Sequence, residues 1–385
     1  MKTSDSDFKI AVLATIFRHY SHADVILSRW QKPMERDHEW NWKGGTMKIA
    51  SLFVDQKFEN DMSVDYCQKH GIPMFSSIRE ALTLGTDKLA VDAVLIIAEH
   101  GSYRTTKWQQ IEYPRAEFFH AAVDVMEESG RIIPVFNDKH IAWSPARVAS
   151  VCERVRRLNI PYFATSTLPL SPKNPPLAPE FLDDPKLYVS VCNSSLDPHG
   201  YHSFEWAQSL IEQRKGGEAG PEKLTVYSGE KLWNFFDAHP DLKQHLSLAF
   251  DLLEPKEDEP KYTLEEFRKV HTCVPPQAMD ILHRDGFRSI YVAFPGAANG
   301  WAFSVENKKG ESHQRKCLLG GLAAYAAHFA NLNNELEKFY RTQVPPTPLA
   351  RAEFVAGLLA EAHVLLDHDR TERVFSPTEY PPYSV

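Results

Sequence analysis

Imidazole and carboxylate side chains are concentrated in four short segments of this 385-residue sequence, each directly after a run of apolar residues. The segments are Phe17 to Asp24, a second that begins at Asp55, Glu99 to Gly101, and Asn137 to His140. Histidines three positions apart share a face of a helix, and imidazole and carboxylate ligands together suit Zn, Mn or Fe. We therefore expect a divalent metal, with ligands drawn from His19, His22, Asp24, Glu99, His100 and His140.

A second polar motif lies beyond the middle of the chain. Asp197 to Glu205 reads DPHGYHSFE and leads into a helical pattern, with His202 three residues before Glu205. A histidine at the start of a helix can transfer protons when a carboxylate orients its ring. This spacing predicts His202 as a general acid/base and Glu205 as the carboxylate that orients it.

The apolar runs before the first polar segments are of strand length and alternate with amphipathic stretches, which is typical of a parallel sheet covered by helices. The predicted strands are Lys9 to Thr15, Met47 to Val54, Ile72 to Phe75, Ala93 to Ala98, Ile132 to Phe136 and Pro161 to Ala164. Predicted helices are Ala116 to Ser129 and Pro145 to Leu158, the second with Ser144 as N-cap. Because ligands bind at the carboxyl ends of such strands, the polar segments are predicted to form one site.

A proline-rich stretch from Leu168 to Pro185 can be neither helix nor central strand, and it predicts a linker. Five further strands are predicted at Lys186 to Cys192, Leu224 to Tyr227, Ser247 to Leu253, Ser289 to Phe294 and Trp301 to Val305, with helices at about Ser203 to Lys215, Cys317 to Arg341 and Pro348 to Leu366. We predict a Rossmann-like α/β domain with a doubly wound parallel sheet in residues 1–167. An α+β domain with a mainly antiparallel open sheet follows in residues 186–385, its C-terminal helix and tail free to pack back on the first domain.

The composition excludes several classes of protein. The net charge of −8 gives no basic surface for nucleic acid, so no nucleic-acid partner is expected. No apolar run approaches the roughly 18 to 20 residues of a membrane span, and the acidic N-terminus is unlike a signal peptide. The five cysteines are odd in number and widely spaced, which favours neither a disulfide framework nor a thiolate zinc site. We expect a cytoplasmic protein that binds a small molecule.

The turn after the first predicted strand contains no glycine, although a dinucleotide site needs glycines there so that backbone amides can approach the pyrophosphate. Asp55 follows the second strand, where the acid that binds the adenosine ribose is expected, but about 40 residues after the first strand instead of about 20. If a dinucleotide binds, Asp55 favours NAD over NADP, because a carboxylate repels a 2′-phosphate.

Three stretches carry a resemblance to a known family. One stretch, Asp92 to Ala98 (DAVLIIA), resembles a fourth strand, and another, Gly130 to His140 (GRIIPVFNDKH), resembles a stretch that ends in Glu-Lys-Pro. The third, Gly200 to Glu205 (GYHSFE), resembles a Gly-x-His-x-x-Asp signature. All three features are those of the glucose-fructose oxidoreductase / inositol dehydrogenase / MocA family. The resemblance implies that Lys139 contacts substrate and nicotinamide, and that His202 is the catalytic acid/base, with Glu205 in place of aspartate. It also implies a carbohydrate-like substrate and a homo-oligomer. The glycine-free turn, and Asp-Lys-His in place of Glu-Lys-Pro, depart from the family pattern.

Three functions remain open. The favoured hypothesis is an enzyme that acts on a sugar-derived or polyhydroxylated molecule by non-redox lyase, hydrolase or isomerase chemistry, assisted by the metal. Lys139 or His202 would then move the proton, and Asp138 or Glu205 would orient the base. The alternative is an NAD(P)-dependent oxidoreductase of a sugar or polyol that binds its cofactor atypically. The third is a catalytically inactive ligand-binding protein.

Overall fold

The structure is a computed structural model that describes residues 8–171, 174–255, 260–270, 272–296, 299–319 and 326–385. It divides into two units, each assembled from three separate stretches of the chain. The parallel-sheet unit comprises Met1–Arg104, Glu112–Pro172 and Leu319–Ala352. The mixed-sheet unit comprises Thr105–Ile111, Lys173–Leu318 and Glu353–Val385.

Six parallel strands form the sheet of the parallel-sheet unit. They are β1 (Lys9–Ala14), β2 (Lys48–Val54), β3 (Met74–Phe75), β4 (Ala93–Ile97), β5 (Val135–Asp138) and β6 (Tyr162–Thr165). The strand order is β3-β2-β1-β4-β5-β6, so the direction of winding reverses between β1 and β4. The apolar strands β1 and β4 are buried almost throughout, as expected for a sheet covered on both faces. The predicted Rossmann-like doubly wound sheet is confirmed.

Among the described residues, six helices cover this sheet. They are α1 (His22–Gln31), α2 (Ser63–His70), α3 (Ile78–Thr83), α4 (Arg115–Ser129), α5 (Pro145–Leu158) and, from the last third of the chain, α10 (Phe329–Thr342). Ser21, Ser77 and Ser144 cap α1, α3 and α5 by accepting a hydrogen bond from a backbone amide of the first turn. Leu336 and Phe339 of α10 belong to the same apolar core as β1 and β4, so α10 completes that core.

Seven strands form the sheet of the mixed-sheet unit. They are β7 (Pro185–Asn193), β8 (Pro221–Ser228), β9 (Gln277–His283), β10 (Arg288–Phe294), β11 (Trp301–Asn307), β12 (Ser312–Lys316) and β13 (Glu372–Val374). The order is β12-β11-β7-β10-β9-β8-β13, and only the β7–β10 pair is parallel. The helices are α6 (Tyr201–Ile211), α7 (Glu230–Ala238), α8 (Pro240–Phe250), α9 (Leu264–Phe267) and α11 (Leu349–Asp367). The predicted α+β architecture with a mainly antiparallel sheet is confirmed.

Both faces of this second sheet are covered by helices of the same unit. On one face, Val191 of β7 shares a core with Leu246 of α8. On the other face, the Tyr291 ring of β10 lies 4.5 Å from the Phe204 ring of α6. Residues on both faces are therefore buried within the unit.

Two predicted elements differ from the structure. The predicted strand at Ser247 to Leu253 is wrong, because residues 247–250 are the end of α8 and residues 251–253 form the turn after it. The helix begins at Pro240 and buries Leu242, Leu246 and Phe250 at helical spacing. The long helix predicted from about Cys317 is observed only from Phe329 to Thr342, and residues 320–325 of that prediction lie outside the described residues. Residues 172 and 173 of the predicted linker also lie outside them.

The described helices include none that is long and apolar enough to cross a membrane. All five cysteines have free thiols, and Cys67, Cys152 and Cys192 are buried.

Candidate active site

Buried polar side chains meet at the carboxyl ends of β1, β4 and β5. Thr15, Glu99 and Asp138 all lie at this edge of the sheet, and the Thr15 hydroxyl donates a hydrogen bond to the Glu99 carbonyl oxygen at 2.7 Å. This edge includes the point where the strand order reverses, which in open α/β sheets is the usual position of a ligand crevice.

Glu99 is the centre of a buried ionic cluster. Its carboxylate forms an ion pair with the Lys139 ammonium and a second one, at 3.0 Å, with the Arg115 guanidinium. All three side chains are buried. Burial by itself would raise the pKa of Glu99, but Lys139, His22 and Arg115 outweigh it and hold this pKa well below its ordinary value. Glu99 is therefore an anion that neutralises neighbouring cations.

His140 has both ring nitrogens engaged. Its Nε2 lies 3.2 Å from Arg115 Nη1, and its Nδ1 lies 3.1 Å from the carbonyl oxygen of Ala142. Because a guanidinium can only donate and a carbonyl can only accept, Nδ1 carries the hydrogen and the lone pair of Nε2 faces Arg115. The neutral His140 therefore has no lone pair left for a metal.

His22 and Asp138 form a close pair in the same cluster. His22 Nδ1 lies 2.6 Å from Asp138 Oδ2, and the two belong to α1 and β5. One possible ligand atom from each of His22, Glu99 and Asp138 lies within 4.8 Å of the other two. Among the described residues, this is the only group of three His, Cys, Asp or Glu side chains close enough to hold a metal ion. His22 is 16% exposed, whereas Asp138 is buried.

His100 lies beside this pair without an ion pair of its own. Burial lowers the pKa of His100 to about 4, because the charged ring would lose its hydration, while Glu99 acts in the opposite direction. Its backbone is in the left-handed region, with φ of +64°, and the adjacent Gly101 has φ of +113°. A Cβ at Gly101 would collide with Tyr103, so this sharp turn requires glycine there.

The turn between β1 and α1 is held by its own side chains. The Ser21 hydroxyl accepts hydrogen bonds from the amides of Arg18 and Asp24, at 3.2 and 3.3 Å. The buried Asp24 carboxylate accepts one from the Tyr20 amide at 3.0 Å and lies 3.5 Å from His19, whose side chain is 63% exposed. His19 and Asp24 thus belong to this turn and not to the cluster around Glu99.

The loops that follow β2 and β4 are tied together. The Tyr103 hydroxyl donates a 2.6 Å hydrogen bond to the Asp55 carboxylate, and the Ser102 amide donates one to the Gln56 side chain at 2.7 Å. Asp55 is exposed and directly follows β2. Asp55 thus lies at the carboxyl end of the second strand, where the sequence predicted it.

The mixed-sheet unit contains its own group of ring side chains at the start of α6. His202 and Glu205 lie on α6, and both are buried. The preceding π-helical turn, Leu196–Gly200, brings His199 Nδ1 to 2.8 Å from Asn193 Oδ1. Trp301 lies edge to face with His202 at 5.8 Å and donates a hydrogen bond to the His199 carbonyl oxygen.

Arg115 is the main site residue that sequence reasoning missed. It is 16 positions from Glu99 in sequence, and it is the first residue of α4, where the helix dipole disfavours a cation. This unfavourable position was the available signal, because a buried arginine there needs a carboxylate from elsewhere. Asn193, His199 and Trp301 gave no comparable signal.

The comparisons with known proteins concern the fold. No family model and no curated protein matches the chain. Among solved structures, a probable dehydrogenase from Thermotoga maritima is 11% identical and covers 94% of this chain and 98% of its own, with a TM-score of 0.55. Myo-inositol 2-dehydrogenase from Lactobacillus plantarum is 8% identical, covers 96% and 99%, and has a TM-score of 0.56. GenD2 from gentamicin A biosynthesis, in complex with NAD, is 9% identical, covers 97% and 98%, and has a TM-score of 0.60.

These similarities confirm, at the level of the fold, the predicted resemblance to the inositol dehydrogenase family. They contradict the prediction of a divalent metal and of non-redox lyase, hydrolase or isomerase chemistry, because two of these three solved structures are described as dehydrogenases and the third is bound to NAD. The site gives a physical reason for that error. Lys139 and Arg115 already neutralise the Glu99 carboxylate, Asp138 is paired with His22, and His140 has no lone pair to offer.

Proposed function

We propose that this chain is an enzyme, a nicotinamide-dependent oxidoreductase that acts on a polyhydroxylated small molecule such as a sugar or polyol. The observation that carries the proposal is the buried Lys139–Glu99 ion pair at the strand edge where the winding reverses. It occurs in a chain that shares its whole two-unit fold with inositol dehydrogenases. A nicotinamide, when bound, supplies a hydride acceptor or donor.

Lys139 is the residue to which we assign contact with the reacting oxygen. Its backbone is left-handed, with φ of +67°, and its ammonium is fixed by Glu99, which Arg115 holds in turn. An ammonium in this position donates a hydrogen bond to a substrate oxygen and stabilises the negative charge that develops there. Because the ion pair is buried, this stabilisation is stronger than it would be in water.

The residues present fit the adenosine ribose of a dinucleotide and do not fit its pyrophosphate. Asp55 is exposed at the end of β2 and can accept hydrogen bonds from a ribose. In the β1–α1 turn, however, the amides of Arg18, Tyr20 and Asp24 are already bonded to side chains, and the buried Asp24 carboxylate would repel a pyrophosphate. We expect the cofactor to be held through its adenosine ribose and not by the amides of this turn.

Calorimetric titration with NAD and NADP, with and without a panel of polyols, tests the cofactor. Asp55→Ala is expected to weaken NAD binding by about ten-fold or more, because the ribose loses a charged acceptor. Glu59→Ala is the matched control, since Glu59 is an exposed carboxylate of the same loop. Failure of the wild-type chain to bind either nucleotide under any of these conditions would refute the proposed function.

Spectrophotometric assay of NAD reduction over the same panel tests the reaction. Lys139→Gln should reduce kcat by about 100-fold or more, the usual cost of losing a group that stabilises developing charge. Lys57→Gln, on an exposed loop of the same unit, should leave kcat unchanged. Equal rates in both variants would remove Lys139 from the mechanism.

His202 is proposed as a further proton-transfer group and Glu205 as its orienting carboxylate. Support comes from their positions three residues apart on α6 and from the Trp301 ring that packs against His202. His202→Asn should remove one ionisation from the pH profile of kcat, whereas Glu205→Gln should shift that ionisation. An unchanged profile in His202→Asn would exclude this role.

A further inference from the structure

We propose that His22 is a proton-accepting residue of the strand-end site, with Asp138 as the positioning residue that fixes its ring. The inference deepens the proposed function, and it rests on that function for the class of substrate. His22 then has an acid/base role instead of the metal-ligand role that its sequence context predicts.

The pair determines which nitrogen of His22 carries a hydrogen. Asp138 Oδ2 lies 2.6 Å from His22 Nδ1, and a carboxylate can only accept a hydrogen bond. Nδ1 is therefore protonated, and in the neutral ring the lone pair is on Nε2. Because Asp138 is buried at the end of β5, its carboxylate has a fixed position and a strong interaction with the imidazole.

Neighbouring rings restrict the rotation of the imidazole. The Phe329 ring lies 4.9 Å from the His22 ring at an interplanar angle of 75°, and the His100 ring lies 6.1 Å away at 85°. His22 retains 16% exposure. An oriented imidazole that small molecules can still reach is the arrangement that general base catalysis requires.

The charged groups that face His22 are compatible with a change in its charge. Glu99 and His100 approach from the end of β4, Asp138 and Lys139 from the end of β5, and Arg18 and Asp24 belong to its own turn and helix. When Nε2 takes a proton, the imidazolium forms beside the Asp138 carboxylate and within 4.8 Å of Glu99.

The proton-transfer step is balanced without a further reactant. The O–H bond of a substrate hydroxyl breaks, a bond between the hydrogen and His22 Nε2 forms, and the electron pair of the broken bond stays on the oxygen. Lys139, which contacts the same Glu99, donates a hydrogen bond to that oxygen. The reverse step returns the proton from His22. Lys139 thus stabilises the developing charge at the oxygen, and His22 accepts the proton.

Carbethoxylation by diethyl pyrocarbonate tests the oriented lone pair without cofactor or substrate, because the reagent acylates an unprotonated imidazole nitrogen. The rate is measured for each histidine by mass spectrometry in the wild-type chain and in Asp138→Asn. An asparagine can donate its amide hydrogen to Nδ1, which moves the ring hydrogen to Nε2. We expect the rate at His22 to fall by about ten-fold, which corresponds to a change of about 1.4 kcal/mol in the equilibrium between the two tautomers.

Two other histidines serve as internal references. His38 and His239 are exposed, and the Nδ1 of each lies 2.7 Å from a backbone carbonyl oxygen, of Glu35 and Phe235 respectively. Their rates should not change in Asp138→Asn. A rate at His22 that is the same in both proteins would overturn the proposal, whatever the NAD titration shows.

A second measurement covers the case in which Asp138→Asn fails to fold. Nitrogen-15 NMR of the wild-type protein, with the His22 signals assigned by their loss in His22→Gln, reports the tautomer directly. The form with hydrogen on Nδ1 is expected, and the form with hydrogen on Nε2 would refute the assignment. On any polyol that the enzyme turns over, His22→Gln should lower kcat by about 100-fold; an unchanged kcat would likewise exclude the acid/base role.

Discussion

Glu99 is the residue on which the charge balance of the strand-end cluster depends. It pairs with Lys139 and Arg115, and all three side chains are buried. Buried ions are costly unless their charges and hydrogen bonds are satisfied, so the loss of the shared anion would leave two buried cations without their counter-charge. The residue that pairs with Lys139 is thus also expected to be important for the stability of this edge of the sheet.

We expect Glu99→Gln to destabilise the protein by about 3 to 5 kcal/mol, the usual cost of breaking a buried ion pair from one side. Urea unfolding followed by circular dichroism measures this loss. Glu117→Gln is the matched control, because Glu117 pairs with Arg147 on the surface and such pairs contribute only about 0 to 1 kcal/mol. A loss below 1 kcal/mol in Glu99→Gln would show that the pairs are solvated in solution.

His100 gives the unfolding free energy a dependence on pH. Burial lowers its pKa to about 4 in the folded chain, whereas the unfolded chain binds the proton near the ordinary value of 6.5. Between these two values the unfolded state binds more protons, so stability is full above pH 6.5 and falls by about 3 kcal/mol towards pH 4. His100→Asn should flatten this part of the profile, and asparagine also tolerates the left-handed backbone there. Identical profiles from urea titrations across this range would contradict the assignment.

Elements whose signals are local could be predicted from the sequence. The helix α5 occurs where Ser144, Pro145 and its apolar spacing predict it, from Pro145 to Leu158. The strands of the first sheet are continuous apolar runs, and the residues after them, His22, Glu99 and Lys139, indeed meet at one edge. Periodicity and strand ends thus sufficed for the fold class and for most of the cluster, Arg115 being the main exception.

Elements that depend on distant partners could not be predicted. The strand β9 was missed because it carries the polar residues Asp280 and His283, which do not fit the pattern of a buried strand. Their partners, Arg288 and Glu218, cannot be identified from the sequence pattern alone. The edge strand β12 reads SHQRK, a polar sequence that suits a protected edge but gives no apolar signal. Pro240 lies at the first position of α8, where proline is typical of a helix start. This local signal favours a helix over the predicted strand.

The N-cap of α5 offers a test at the scale of one element. The Ser144 hydroxyl accepts a hydrogen bond from the Arg147 amide, so Ser144→Ala should cost about 1 kcal/mol. Ser144→Asp keeps an oxygen acceptor and a favourable charge at the helix start, and it should cost nothing. Thermal unfolding of the three proteins measures the difference. Equal losses in both variants would mean that packing at this position, and not the cap, is responsible.

At the scale of the whole molecule, the C-terminal segment closes the mixed-sheet unit. The Tyr383 backbone exchanges hydrogen bonds with Glu218, and its hydroxyl donates to Glu212 at 2.9 Å. Arg284 donates to the carbonyl oxygens of Ser376, Glu379 and Tyr380. Glu218 and Glu212 are buried, so this segment covers polar groups that water would otherwise have to solvate.

Removal of residues 376–385 should therefore destabilise the mixed-sheet unit, on the order of 3 kcal/mol from the polar groups left without partners. Differential scanning calorimetry should show a lower Tm for at least one transition. Removal of residues 384–385 alone, which keeps Tyr383, is the control and should leave the Tm unchanged. The same Tm in both truncated proteins would show that the segment is dispensable for stability.

Because each unit is assembled from three separate stretches of the chain, the order of synthesis affects how the units fold on the ribosome. The strands β1 to β6 are synthesised early and leave the ribosome first. The helix α10, which completes their core, begins some 160 residues after β6 ends, and most of the mixed-sheet unit is synthesised before it. At about 5 to 20 residues per second, the apolar surface under α10 waits several seconds or longer for its cover. During synthesis the first sheet is therefore a candidate client for chaperones that bind exposed apolar surface on nascent chains.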